Sequence, residues 1–360
     1  ELTVFDLTEE LPNQEVIILN KKEYRDDKER TVQVDYKDTD FEPIVEMRQQ
    51  VQQYNALLWR TFIDIPTREE PCIEQPYWDK KVGAMKIRRV KLTQDNKFVR
   101  RVFYRADWNL GGRFHGGWWQ SIKEDWRKQI YINHEATVEV DYSGLHVNLL
   151  YGLKGIQPPK EDHYELQHVL LDFTVKEQRK IVKGVVLNAI NATTIKKAFQ
   201  AYLTNQPSDS KIRKLKLKHS HLQLLLDAFI EKHPSIEDAL GADKGVELMK
   251  VDGRITAKVI NHFTKKNIPI LSIHDSYVIQ NQYSGQLRTV MMKTVAEELD
   301  DLEINIDQEG VGIDQVQAFK NMDRANTLDY DFKDITSYKK TVGYEARLER
   351  HNKWLLRIDD

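Results

Sequence analysis

Val138-Glu139-Val140-Asp141-Tyr142-Ser143-Gly144-Leu145-His146-Val147-Asn148-Leu149-Leu150-Tyr151 changes its hydrophobic period at a carboxylate. Val138 and Val140 alternate with Glu139 as in a half-buried strand, whereas Leu145, Leu149 and Leu150 recur at helical spacing. Asp141 is therefore expected at a strand-to-helix corner. A second carboxylate has a comparable setting in Ile270 to Ile279, ILSIHDSYVI, where two β-rich runs flank His274-Asp275 and predict a hairpin with that pair at its tip. Two aspartates on adjacent strand ends would hold two divalent cations about 3.5 to 4 Å apart, the arrangement used for in-line phosphoryl transfer.

With 360 residues, the chain is long enough for one elaborate domain or two to three smaller ones, and for a sizeable core. Lys plus Arg (54) nearly balances Asp plus Glu (56), so the net charge of −2 points to no polyanionic partner and any such signal must be local. It is concentrated in two places. Val175 to Leu203 carries Lys176, Arg179, Lys180, Lys183, Lys196 and Lys197 against Glu177 alone, and Lys211 to Lys218 adds Arg213, Lys214 and Lys216. The single cysteine, Cys72, excludes an intramolecular disulfide and fits a reducing compartment. No run of about 18 apolar residues occurs, and ELTVFDLTEE lacks the basic and apolar regions of a signal peptide, so a cytoplasmic protein with no membrane partner is expected. The chain starts at Glu1 rather than methionine, which leaves an upstream segment open.

In chain order, Glu15 to Leu19 and Thr31 to Tyr36 read as short strands, and Phe41 to Ile63 as an amphipathic helix stopped before Pro66. Pro71 to Asp79 reads as loop. Met85 to Leu92 and Phe98 to Tyr104 read as one hairpin whose outward side carries Arg88, Lys91, Arg100 and Arg101. Gly111 to Gln120, with four glycines and Trp118-Trp119, is the most turn-rich stretch and is expected to be a loop offering either a stacking platform or a core contact. Asp162 to Leu171 is expected to be a short helix, Val175 to Leu203 a single long one, and His221 to Glu231 and Ile236 to Lys265 two more. Gln286 to Leu299 reads as helix, Leu302 to Gln308 as strand and Tyr338 to Leu356 as a charged terminal helix.

Each motif taken alone has an ordinary reading. Asp141 could cap a helix, His274-Asp275 could be turn chemistry, Arg179 and Lys183 could be a solvated stripe, and the glycines could be a tight structural loop. Their order carries more information. Gly112-Arg113 with Gln120, then Asp141-Tyr142-Ser143, then Arg179 with Lys183, then His274-Asp275 resembles the polymerase core shared by family A DNA polymerases and single-subunit, phage-type RNA polymerases. The resemblance covers roughly Asn109 to Ile313. The chain departs from that pattern at His146, where the DNA enzymes carry a glutamate that crowds the sugar, and at Leu187 and Asn191, where an aromatic and a tyrosine are usual. Ser276 sides with the RNA enzymes and Tyr142-Ser143 with the DNA enzymes.

The resemblance implies an α+β fold, a right-hand palm and fingers with an antiparallel palm sheet, long helices and a small N-terminal α+β module. The implied division is 1–107 as a reduced, thumb-like module contacting primer-template, 108–160 as the first palm segment, 161–235 as fingers, 236–325 as the second palm segment and 326–360 as a helical extension. Asp141 and Asp275 would be catalytic and hold two Mg²⁺ ions, with Mn²⁺ as a substitute. Arg179, Lys183, His146, Leu187 and Tyr142 would meet the nucleoside triphosphate. Arg113, Gln120, His274, Asn191, Arg213, Lys214 and Lys216 would meet primer-template nucleic acid. The implied activity is template-directed nucleotidyl transfer to a primer 3'-hydroxyl, with DNA as the expected product. An RNA polymerase or primase, a metal-dependent phosphodiesterase and a non-catalytic nucleic-acid-binding protein on a decayed polymerase fold are the alternatives.

Overall fold

A computed structural model describes residues 14–25, 28–79, 82–207, 210–309 and 338–359. The strands are β1 (Ile17–Arg25), β2 (Lys28–Gln33), β3 (Ile63–Asp64), β4 (Cys72–Asp79), β5 (Ala84–Lys91), β6 (Val99–Tyr104), β7 (Asp107–Gly116), β8 (Tyr131–Ile132), β9 (Glu135–Tyr142), β10 (Ile270–Ile273), β11 (Ser276–Gln280) and β12 (Ile306–Glu309). The helices are α1 (Ile44–Arg60), α2 (Glu124–Arg127), α3 (Leu145–Gly152), α4 (Val175–Asn191), α5 (Ile195–Thr204), α6 (Lys211–Lys214), α7 (His219–Lys232), α8 (Gly245–Thr264), α9 (Ser284–Glu298) and α10 (Val342–Asp359). The fold is mixed α+β with largely antiparallel sheets. Two compact units divide the chain, the first comprising 1–142, 252–294 and 306–360 and the second 143–251 and 295–305. The sequence boundary expected at 325/326 lies outside the described residues.

In the first unit, β9 is the central strand. It pairs with β11 on one edge and with β8 and β12 on the other, in a sheet of order β10-β11-β9-β8-β3. Val138, Val140 and Tyr142 are buried, as the alternation requires, while Glu139 and Asp141 occupy the opposite face. A second sheet has the order β2-β1-β6-β7, and β4 and β5 form a separate two-stranded ribbon. Helix α1 buries Ile44, Met47, Val51, Tyr54 and Leu58, and the Tyr54 hydroxyl donates to the Ile270 carbonyl of β10.

The chain does not make the hairpin expected from Met85 to Tyr104. Strand β5 pairs with β4, so Pro71 to Asp79 is largely strand rather than loop, and β6 pairs with β7 and, in parallel, with β1. The connection is diverted by a 3₁₀ turn at Gln94–Asn96: Gln94 Nε2 donates to the Trp59 carbonyl and Lys97 Nζ to those of Trp59 and Thr61, which have no partner further along α1. Arg101 points inward instead of outward. It packs over Phe103 and Phe114, and its Nε donates to the Gly112 carbonyl. Gly111 to Gly116 is not loop but the end of β7, with Gly111 at φ 91° and Gly112 at φ 88° where the register to β6 shifts.

The second unit is helical. Thr174 and Glu177 close a reciprocal cap at the start of α4. The long helix expected from Val175 to Leu203 is two, because the chain is extended at Ala192 and Thr194, and Thr194 caps α5 through Lys197 N–H. Asp162 to Leu171 forms no helix. The Asp162 carboxylate accepts from the Tyr164 and Glu165 N–H groups, and Gln178 holds Gln167, Val169 and Leu170 by their backbones, so side chains satisfy that segment in an irregular path. Ile236 to Lys265 is likewise broken, by Gly241 at φ 75° and Asp243 at φ 55°, into a 3₁₀ turn and α8. Among the described residues no helix is long and apolar enough to cross a membrane.

Candidate active site

The hairpin at His274-Asp275 is present. Ile273 pairs with Ser276, leaving a two-residue turn in which His274 has φ 57°. Strand β11 then lies antiparallel to β9 with Ser276 opposite Asp141, and Tyr142 N–H donates to the Asp275 carbonyl at 3.4 Å. Asp141 and Asp275 thus stand at the same end of two neighbouring strands, both half-buried. Asp307 of β12 is opposite Asp141 on the other edge and is exposed. Directly paired residues share a face, so Asp141 lies between Ser276 and a second carboxylate. Ser276 is buried and its hydroxyl donates to Glu139 at 2.7 Å, while Arg127 makes a forked ion pair with Glu139 at 3.0 and 3.1 Å.

Arg113 reaches this end of the sheet from β7. It forms an ion pair with Asp252 of α8, whose carboxylate is 1% exposed. Two glycines permit the approach: a Cβ on Gly253 would lie 2.3 Å from the Gly112 carbonyl oxygen. Burial pushes the Asp252 carboxyl up to about 6; Arg113 opposes that shift and the charge on Asp275 adds to it. Thr256, one turn on, has its hydroxyl 3.1 Å from that of Tyr277 and donates to the His274 carbonyl at 3.4 Å. Asp252 was missed in the sequence. Its signal was a carboxylate on the apolar stripe Leu248, Val251, Ile255, Val259, followed directly by glycine.

The second unit brings Arg179 and Lys183 together on one face of α4. The Arg179 guanidinium and the Lys183 ammonium each lie 5.9 Å from the Tyr164 ring centre. Arg179 also forks onto one oxygen of Asp162, and this, against the effect of burial, holds the Asp162 carboxyl below its ordinary range. The same segment is tied from α7 by Lys232, which donates to the Asp162 and Glu165 carbonyls. Leu187 continues the stripe half-buried, and Asn191 is exposed and back-bonded to the Leu187 carbonyl. His146 is half-buried in the first turn of α3, after Gly144 at φ 61°. Arg213, Lys214 and Lys216 are exposed at and beyond α6.

Other candidates are absorbed by structure. Tyr142 is 1% exposed, its hydroxyl donates to the Met291 carbonyl and its ring packs edge-on against Tyr277, so it belongs to the core rather than to a nucleotide contact. Gln120 donates to the Phe114 and Ser272 carbonyls and accepts from Gly116 N–H, which pins β7 to β10. Trp118 and Trp119 are fully buried, which resolves the choice between platform and core in favour of core. His274 is accessible as a residue, but its ring lies edge-on to His115 at 5.9 Å; lost hydration there, then the Arg113 charge, lower its pKa.

Among the described residues, no group of three or more His, Cys, Asp or Glu side chains has metal-holding geometry. The residues expected from the sequence to hold an ion are Asp141 and Asp275. One or two carboxylates completed by water and substrate phosphates suit Mg²⁺, so this pair fits such an ion.

No family model matches the chain, and no curated protein matches it. Among solved structures, the POL domain of Pol1 from M. smegmatis, in complex with DNA primer-template and dNTP, is similar with a TM-score of 0.32 and 11% identity, over 56% of this chain and 45% of that one. The chain therefore spans less than half of that structure's length, and a likeness of this degree is a bare resemblance.

Proposed function

We propose that the protein is a template-directed nucleotidyltransferase on a palm-and-fingers architecture. The observation that carries this reading is the placement of Asp141 and Asp275 at the same end of adjacent strands β9 and β11. Two carboxylates in that relation repel one another unless cations lie with them. Asp141 and Asp275 would hold Mg²⁺, which when bound supplies charge to activate a primer 3'-hydroxyl and to stabilise the reacting phosphate. Arg113 is oriented by Asp252, whose carboxyl also feels the charge of Asp275. Arg179 and Lys183 are assigned to the triphosphate, since phosphoryl transfer depends on positioning and electrostatics.

Nucleic acid would be held by exposed cations, which act on phosphates without reading sequence. Arg213, Lys214 and Lys216 are one such group. The β4–β5 ribbon is another: β5 carries Lys86, Arg88, Arg89 and Lys91, and Tyr77, Met85 and Ile87 are exposed beside them. DNA is the expected product, with His146 assigned to sugar choice. RNA synthesis on the same architecture is the second reading, favoured by Ser276. The test is extension of a labelled primer-template with dNTPs or rNTPs, in Mg²⁺ and in chelator. Extension that needs both template and metal is expected, and its absence with either nucleotide set would overturn the proposal.

A further inference from the structure

Away from the aspartates, the first unit contains a cavity of ≈ 40 Å³ lined by Phe62, Asp64, Thr93, Gln94, Lys97 and His351, with Arg350 on its rim. Since a water needs about 10–15 Å³ of such space, the volume suits about three waters or one tetrahedral oxyanion. Its walls are mostly apolar, yet they carry buried polar atoms without partners. Neither ring nitrogen of His351, which is 4% exposed, has a hydrogen-bond partner; nor do Thr93 Oγ1 and Gln94 Oε1. Buried polar atoms are seldom left in that state, and four on facing elements indicate that something polar belongs among them.

The charge on these walls is positive. Asp64 is already matched by Arg347, whose Nε and Nη2 reach its two oxygens at 2.6 and 3.2 Å and whose Nη1 and Nη2 also donate to the Glu69 and Arg68 carbonyls. Lys97 is 3% exposed and donates to two carbonyls, so one of its three ammonium protons is left for another acceptor. Arg350 is exposed at the rim and adds a second cation. Burial lowers Lys97 to about 7, with Asp64 opposing, and lowers His351 to about 3, with Lys97 adding to the effect. A bound anion would relieve both.

Gln94 narrows the choice of anion. Its Nε2 donates to the Trp59 carbonyl, which fixes the amide so that the unpartnered atom is the acceptor oxygen. That oxygen repels a fully deprotonated oxyanion and welcomes one that still carries an acidic proton. We propose that this cavity binds a small protonated oxyanion, with inorganic phosphate in its hydrogenphosphate form as the fitting ligand. The site shares no residue with the catalytic proposal and stands or falls apart from it.

The test is isothermal titration of the full chain with phosphate, sulfate and acetate, alongside Arg350→Gln, His351→Phe and Gln94→Leu. Phosphate is expected to bind in the millimolar range or tighter and to raise the melting temperature, with sulfate weaker by about tenfold. Arg350→Gln, at the exposed rim, should fold normally and weaken phosphate by about tenfold, since it removes a charge-assisted contact. His351→Phe should weaken it too, and Gln94→Leu should shrink the preference over sulfate. No phosphate binding at millimolar concentration would mean that the cavity holds water only. Affinity unchanged in both Arg350→Gln and His351→Phe would place any binding elsewhere, and equal affinity for sulfate would remove the acidic-proton requirement; each of these results overturns the proposal.

Discussion

The carboxylates of the first unit and the cations of the second are arranged on opposite principles. Asp141, Asp275 and Asp252 gather at one end of a sheet, with Asp252 buried and matched by Arg113. Arg179 and Lys183 share one aromatic ring at a half-exposed helix surface, and Arg179 is neutralised by Asp162. Exposed charge of the second kind costs folding little, because water and a neighbouring carboxylate already satisfy it. The charge on Asp275 adds to the upward shift of buried Asp252, so that carboxylate is held at a cost to stability. That contrast makes the aspartates a stronger functional signal than the basic helices, although the helices dominate the charge pattern of the sequence.

The largest expected effect on stability comes from separating Arg113 from Asp252. Arg113→Met should cost about 3–5 kcal/mol near neutral pH, because it strands a buried carboxylate close to Asp275. The sign with pH follows from the raised pKa of Asp252. A carboxyl that binds its proton more tightly in the folded state gains stability as pH falls, so the loss should shrink on acidification. Denaturant melts at several pH values check both points, and a loss that does not depend on pH would separate Arg113 from Asp252.

The second unit offers a titration of opposite sign. His163 is 7% exposed and its Nε2 donates to Asn148 Oδ1 at 2.9 Å, and burial, followed by the charge of His233, holds it at about 4. The unfolded chain therefore binds this proton first. The stabilisation is present in full above the ordinary value of 6.5 and is lost as pH falls from there towards 4, an effect on the order of 3 kcal/mol. His163→Gln should flatten that part of the stability profile, and an unchanged profile would assign the acid sensitivity to other groups.

Smaller effects are expected where charge is exposed. Arg179→Ala should cost at most about 1 kcal/mol of stability while weakening nucleotide use, as measured by the KM for the triphosphate. A large loss of stability with KM unchanged would make Arg179 a structural tie for the Asp162 segment. Replacing Arg213, Lys214 and Lys216 together should leave melting unaltered and reduce the salt dependence of nucleic-acid binding by up to about three phosphate contacts. An unaltered salt slope would remove that surface from the interface.

The sequence discloses these regions unequally. The corner at Asp141 and the turn at His274-Asp275 were legible because local periodicity and turn chemistry suffice to define them. The pairing of β5 with β4 was not, because Gln94 and Lys97 divert the chain through bonds to the end of α1, which is remote in sequence. Asp252 escaped for a similar reason: only the close passage of Gly112 against Gly253 shows why a carboxylate sits on an apolar helix face. The glycines of β7 suggest a loop by composition, although their positive φ values serve a strand irregularity.

The central claim is that Asp141 and Asp275 act together on one phosphorus. The most direct measurement is the rate of primer extension by Asp141→Asn, Asp275→Asn and the double variant, with melting temperature recorded for each. Either single change should reduce the rate by about a thousandfold or more, and the double variant should be hardly slower than the worse single one, because residues acting as a unit are non-additive. Melting temperatures should be unchanged or higher, since one of two repelling carboxylates has been neutralised. Near-wild-type extension by either single variant would contradict the account.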